Sequence, residues 1–183
     1  MALREIIQTD NPILRKKAIK VTSFDQKFQT LVDDMVETML DAPGVGLAAP
    51  QVAVSQRLIV VHLPVDEDSQ EVYGDDASVL YMVANPKIIK ASKEMVMGVE
   101  ACLSIPGYFG EVERHESVVV TGQDRHGQKM RVKAKGWLAR VFQHEIDHLD
   151  GVLFTDLTEN VWHISEMEEA DATAFAQPDT GLD

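Results

Sequence analysis

Apolar residues recur at i, i+3, i+4 and i+7 through Phe28, Leu31, Val32, Met35, Val36, Met39 and Leu40. That period predicts an amphipathic helix from about Asp25 to Leu40, with Gly44 following its end. Asn11-Pro12 reads as the N-cap and first residue of a short helix, Pro12 to about Ala18. A third helical run differs in kind. Trp137, Leu138, Val141, Phe142, Ile146 and Leu149 place apolar groups nearly all the way round, the mark of a buried helix, between Gly136 and Gly151. Elsewhere the chain reads as strands: Arg57–Leu63, Val79–Ala84 ending at Asn85-Pro86, Lys87–Lys90 and Glu94–Glu100. Glu111–Thr121 and Gln128–Lys135 flank the turn Asp124–Gly127 and predict a hairpin. Asp66–Ala77 is an acidic loop, and Val152–Phe154 a short strand. Thr158–Phe175 carries a weak helical pattern, and the last residues, through Gln177-Pro178-Asp179, read as disordered. Together these predict an α+β fold: mostly antiparallel strands packed around a central helix, with an N-terminal helix and a C-terminal tail. Residues 1–157 are expected to form the folded domain and 158–183 an acidic tail, partly helical or disordered.

Composition narrows the class. At 183 residues, 45% apolar and 26% charged, the chain suits one ordinary globular domain. No apolar run approaches the roughly 20 residues of a membrane span, and the start, Met1-Ala2-Leu3-Arg4-Glu5, lacks signal or transit character. A cytoplasmic protein with no membrane partner is expected. The 17 basic and 30 acidic side chains leave a net charge of −13, and residues 156–183 hold eight acids with no Lys or Arg. An acidic body with an acidic tail argues against direct nucleic-acid binding.

The buried helix carries the chemistry. Gln143-His144-Glu145-Ile146-Asp147-His148 contains H-E-x-x-H, which stacks two imidazoles on one helix face and sets a carboxylate about 100° round from them. Two such histidines can hold one metal ion, and Glu145 can take a proton from a water beside it. The central helix thus becomes a metal-binding helix. A solvated face of charges is the bland alternative, but the apolar surroundings of the motif argue against it. A third ligand is needed. Cys102, the only cysteine, suits zinc or iron(II) by its chemistry. A small buried packing residue is the alternative, and a separation of 42 residues from His144 leaves the choice open. His62 reads as a core histidine, and His115 and His126 as exposed. Gly44-Val45-Gly46-Leu47-Ala48-Ala49-Pro50-Gln51 is a tight irregular segment in which backbone can approach something closely; taken alone it favours a helix cap and loop.

Three motifs in order, GVGLAAPQ at 44–51, EACLS at 100–104 and QHEIDHLDG at 143–151, make the sequence resemble a peptide deformylase over about Leu3 to Asp156. The resemblance implies a metal-dependent hydrolase that removes the formyl group from the N-terminal formylmethionine of new polypeptides and releases formate. It implies Cys102, His144 and His148 as metal ligands, Glu145 as general base and then acid, and the Gln51 side chain with the Leu103 backbone N–H as stabilisers of the oxyanion. Val45, Gly46, Trp137 and Val141 would bind substrate, with backbone near Gly46 holding it as an added strand. Glu100 and Arg114 would pair to brace the cysteine loop. One divalent ion is implied, iron(II) in the cell, with zinc, nickel or cobalt possible in purified protein. Partners would be N-formylmethionyl peptides and nascent chains, with at most a transient ribosome contact. The basic C-terminal helix that some members dock there has no counterpart in this acidic tail. The family's second motif usually reads E-G-C-L-S; here Ala101 replaces the glycine, which is tolerated at negative φ.

Two other readings use the same motif. A zinc metallopeptidase would take a third ligand C-terminal to it, for which His163 and Glu166 are available. A non-catalytic module stabilised by metal would close the site with four protein ligands.

Overall fold

In the computed structural model, which describes residues 2–42, 44–63 and 79–166, the apolar run Leu58–His62 forms strand β2. It does not alternate apolar with polar because both of its faces are covered. Ile59 and Val61 point into one core cluster, beside Phe142, Ile146 and Leu149. Leu58 and Val60 point into another, beside Phe28, Val32 and Met35. The first cluster belongs to helix α2 (Gly136–Asp150) and the second to helix α1 (Gln26–Asp41). α1 starts where Asp25 accepts a hydrogen bond from the Phe28 N–H.

Around β2 a five-stranded antiparallel sheet runs in the order β1 (Gly46–Ala48), β2, β3 (Leu80–Ala91), β6 (Ser117–Gln123), β7 (Lys129–Lys135). A second sheet holds β4 (Met95–Cys102), β5 (Ile105–His115) and β8 (Val161–His163), also antiparallel. α2 touches strands of both sheets. Its C-terminus is capped by Gly151 in the left-handed conformation. The α+β architecture with a central helix is the one predicted.

Several details differ from the sequence reading, each for a non-local reason. The short helix expected from Pro12 to Ala18 is a single 3-10 turn, Pro12–Arg15, because Lys16 turns extended and the Ala18 N–H binds the Leu149 carbonyl. The two strands expected on either side of Asn85-Pro86 are one strand with a bulge. Asn85 sits there at φ 53° and its side chain bonds Val21 and Gln123. The stretch Glu111–Thr121 is broken at Glu116 into β5 and β6, which lie in different sheets. Gln143 of α2 causes the break: its amide accepts from the His115 N–H at 3.1 Å and donates to the His115 carbonyl at 2.9 Å. His115 is accordingly half-buried, with its ring on the Ser92 carbonyl, while His126 is exposed as expected. The β6–β7 hairpin itself follows the prediction. Val152–Phe154 is no strand; Phe154–Asp156 forms a 3-10 turn tied by the Asp156 carboxylate to the Leu153 N–H.

Past residue 158, where a helix was expected, Val161–His163 pair with Tyr108–Gly110 as β8. Trp162 stacks on Phe109 and His163 packs against Tyr108. The acidic loop at 66–77 and the chain from 167 onward lie outside the described residues. Among the described residues no helix is long and apolar enough to cross a membrane.

β8 makes two aromatic contacts that a chain ending at Asn160 would lack. Compared with a chain ending at Glu166, that shorter chain should melt lower by about 5 °C. Equal melting curves from differential scanning calorimetry would show that β8 adds nothing to stability.

Candidate metal centre and active site

The β4–β5 hairpin brings Cys102 to α2. Cys102 pairs with Ile105 across the turn Leu103–Ser104, so its side chain projects from the strand end toward the helix. Its Sγ lies 3.2 Å from His148 Nε2. The Cys102 sulfur and one nitrogen from each of His144 and His148 lie within 4.8 Å of one another, all buried. The spacing that left Cys102 undecided in sequence is closed by the fold. His163 and Glu166, the extra ligands a peptidase would need, are elsewhere: the His163 ring contacts Ser165, and the His163 backbone N–H donates to the Glu166 carboxylate. Only three ligands gather among the described residues, so a closed four-ligand site is not formed.

A shell of charge orients these groups. His144 Nδ1 lies 2.9 Å from Glu100 Oε2 and donates to it, leaving Nε2 for a metal. Glu100 also accepts from Arg114, at 2.9 Å on Oε1 and 3.0 Å on Oε2, and from Arg140 at 2.9 Å. The expected Glu100–Arg114 pair is present. Burial works to raise the Glu100 carboxyl, but the hydrogen bonds and charges of Arg114 and His144 win and hold it at about 2. Arg114 reaches on to Asp147 at 2.5 Å. Arg140 spans to the carbonyls of Val96, Gly98 and Val112. Gly98 makes room for it, since a Cβ there would come within 2.7 Å of the guanidinium.

Gln51 is fixed by both ends of its amide. Its Oε1 accepts from the Ala48 N–H at 2.8 Å, so its Nε2 faces Ser104 Oγ at 3.2 Å and Cys102 Sγ at 3.5 Å. Glu145 is buried, and burial, aided by the charges of Glu100 and Asp147, lifts its carboxyl to about 7. Its Oε1 lies against the backbone of Gly46, where a Cβ would come within 2.4 Å. This is the close approach that the glycine-rich segment anticipated. Gly46 lies on strand β1 and Gln51 in the 3-10 turn after it, not in a simple helix cap.

Two buried atoms test whether a metal fits. Glu145 Oε2 has no hydrogen-bond partner, and His148 Nε2 faces the Cys102 sulfur. Burial holds the His148 ring well below the ordinary histidine value, so it stays neutral, the ligating form. A neutral imidazole, a thiol sulfur and a second imidazole oriented by a carboxylate suit zinc or iron(II). The residues present fit such an ion.

The cluster opens onto a cleft of about 460 Å³. All four expected substrate residues, Val45, Gly46, Trp137 and Val141, line it, with Gln51, Leu103 and Glu145. Sequence reasoning missed its other apolar walls, Val99, Ile105, Tyr108 and Phe109. Tyr108-Phe109, directly after Pro106-Gly107, was the available signal. It also missed Arg140, whose signal was a lone cation on a buried helix, one turn before His144. Ala101 is at negative φ, since Ala53 and Asn85 are the non-glycine residues with positive φ among those described. The alanine is therefore unstrained in place of the usual glycine.

An H-E-x-x-H helix, a Cys–His–His cluster able to hold a metal and an adjoining apolar cleft define a metal-dependent hydrolase. The sequence profile of the polypeptide deformylase family matches residues 3–162. A peptide deformylase from Symbiobacterium thermophilum is 51% identical over 174 residues, 95% of this chain and 75% of that protein. The crystal structure of peptide deformylase from Ehrlichia chaffeensis superposes with a TM-score of 0.79 at 35% identity, covering 100% of both chains. That of the Met-Ala-Ser-bound class I type b peptide deformylase from Acinetobacter baumannii gives 0.77 at 34% identity, over 85% of this chain and 98% of that one. The chain belongs to the polypeptide deformylase family, hydrolases that remove the formyl group from the N-terminal formylmethionine of nascent peptides.

Arg140 generates a prediction. Arg140→Met keeps the stem but leaves Glu100 with one guanidinium instead of two. Stability should fall by roughly 2–3 kcal/mol, and metal affinity about tenfold or more through a loosened His144. Urea unfolding and chelator competition measure the two effects separately. Unchanged values in both would remove Arg140 from the supporting shell.

Proposed function

We propose that Cys102, His144 and His148 together hold one divalent ion, iron(II) in the cell, and that Glu145 is the acid–base group of deformylation. Zinc, nickel or cobalt can take the same place in purified protein. The observation that carries this reading is Glu145 itself: a buried carboxyl with an unpartnered oxygen, beside the ligand cluster and pressed on Gly46. A structural site would give such a group nothing to do.

When bound, the ion supplies Lewis acidity, which lowers the pKa of a water toward ~7 and polarises a carbonyl. The remaining steps belong to side chains and backbone. Glu145 accepts the proton of the attacking water and returns it to the amine nitrogen as the C–N bond breaks. Formate and a free methionine amine result. The Gln51 Nε2 donor and the Leu103 N–H face the oxygen on which negative charge develops; one such donor is worth about 2.7–4 kcal/mol. Val45, Trp137 and Val141 enclose the methionine side chain, and β1, an edge strand, holds the peptide backbone near Gly46. Residues 1–157 supply all of these groups, and 158–183 none. The enzyme works in the cytoplasm on emerging chains, meeting the ribosome only transiently.

Enzyme prepared without oxygen should release formate from a formyl-Met tripeptide. Glu145→Gln should retain its metal and lose turnover by roughly a hundred- to ten-thousandfold; a mutant as active as the parent would remove Glu145 from the mechanism. Cys102→Ser should lose metal, because a hydroxyl rarely ionises at neutral pH. Full metal occupancy with unchanged turnover in that variant would discard Cys102 as a ligand.

A further inference from the structure

The outward face of the larger sheet carries charge of one sign. Lys129, Arg131, Lys133 and Lys135 alternate along β7 and are exposed, while Val132 and Ala134 between them are buried with Leu138 and Phe142 of α2. The face continues across β6 onto β3. Arg131 stands opposite Thr121, and Thr121 opposite Lys87; Lys133 stands opposite Val119, and Val119 opposite Lys90. Lys87 and Lys90 are exposed as well. The segments 87–91, 117–123 and 129–135 hold no Asp or Glu. Among the described residues none of these six cations has an ion-pair partner. Alternate residues of a strand are about 7 Å apart, so the cations of β7 repel one another, and no acid on these segments offsets that cost.

We propose that this sheet face docks on the phosphate backbone of double-helical RNA. The net charge of −13 argues against nucleic acid only as an average over the whole surface; on this face the sign is reversed, and a basic stripe is the footprint of phosphate binding. Protection of a free strand edge is the plain alternative, since lysines blunt edges. It accounts for β7, which is an edge, but not for Lys87 and Lys90, because β3 lies inside the sheet between β2 and β6. The layout suits a duplex. The β7 cations form a row about 20 Å long, and Lys87 and Lys90 form a second, about 10 Å away across β6. Ser117, Val119 and Thr121 make an uncharged strip between the rows. A-form RNA carries its phosphates on either side of a deep, narrow groove that side chains do not read, and two cation rows flanking a neutral strip match that outline.

Other anionic occupants fit less well. Single strands are held by stacking bases on aromatic rings, and the three segments contain no Phe, Tyr or Trp. Proteins that lie on a membrane surface sink an apolar face into it; here Ile89 is the exposed large apolar side chain of these segments, at 50%. None of the six cations lines the catalytic cleft, which α2 borders from the other side of the sheet. A protein held by this face keeps its cleft open to peptide, and the docking needs none of the groups assigned to deformylation.

The test measures fluorescence anisotropy of a labelled RNA duplex of about 20 base pairs with the full chain, over a series of salt concentrations. Three proteins are compared: the native chain, the double variant Arg131→Gln/Lys133→Gln, and a control, Lys16→Gln/Lys17→Gln, which removes the same charge elsewhere. Equal melting temperatures check that all three fold. The native chain should bind with Kd of about 10⁻⁴–10⁻⁶ M, the range of sequence-independent phosphate contacts. Arg131→Gln/Lys133→Gln should weaken binding about tenfold or more at low salt and make the slope of log affinity against log salt shallower by about 2. The control should keep the native affinity and slope. No binding by the native chain, or an equal loss in both double variants, overturns the proposal. Tighter binding to vesicles containing phosphatidylserine than to RNA, lost in Arg131→Gln/Lys133→Gln, overturns it in favour of a membrane surface.

Discussion

Glu100 places a negative charge where water is excluded, and the arrangement around it follows from the need to meet that charge. Alone, a buried carboxylate costs several kcal/mol. Here it is met by Arg114 from β5 and by Arg140 and His144 from α2, while Asp147 takes the far side of Arg114. The two guanidinium groups and the two carboxylates balance. Because Glu100 is two residues from Cys102 on β4, the same contacts that satisfy it also hold the hairpin, and with it the sulfur, against the helix. Tertiary packing of the smaller sheet and alignment of the ligands are one set of interactions.

This coupling explains why some of the molecule was legible in the chain and some was not. α1 and α2 could be read because their periods are local. The β6–β7 hairpin could be read because its turn residues lie between its strands. The H-E-x-x-H spacing fixes the geometry of His144 and His148 within a single helix. Cys102 could be placed only once β4 and β5 had been paired and laid on α2, which no local pattern encodes. The break after His115 depends on Gln143, 28 residues from that histidine. β8 exists because Tyr108–Gly110 present an edge to it, while its own residues read as weakly helical. Arg140 was visible but unread: a lone Arg on a buried helix asks for a buried acid, and Glu100 is that acid.

β2 links the two halves of the molecule. Its alternate side chains serve the α1 core and the α2 core, so loosening the N-terminal helix is felt one strand away from the ligands. β1 pairs directly on β2, with Gly46 opposite Val61. The backbone that borders the cleft thus rests on a strand covered on both faces.

The contact between Gly46 and Glu145 restricts how this site can change. Any side chain at 46 would clash with the Glu145 carboxyl, so a substitution of that glycine requires the glutamate to move from its present place. An inhibitor that draws its grip from the backbone at Gly46 would meet a surface that cannot drift away from it one mutation at a time. Escape would have to come from the aromatic wall at Tyr108 and Phe109, whose side chains are free of the ligand cluster, or from altered supply of the enzyme. The tightest spot in the cleft is therefore the one where selection for drug resistance has the least room to act.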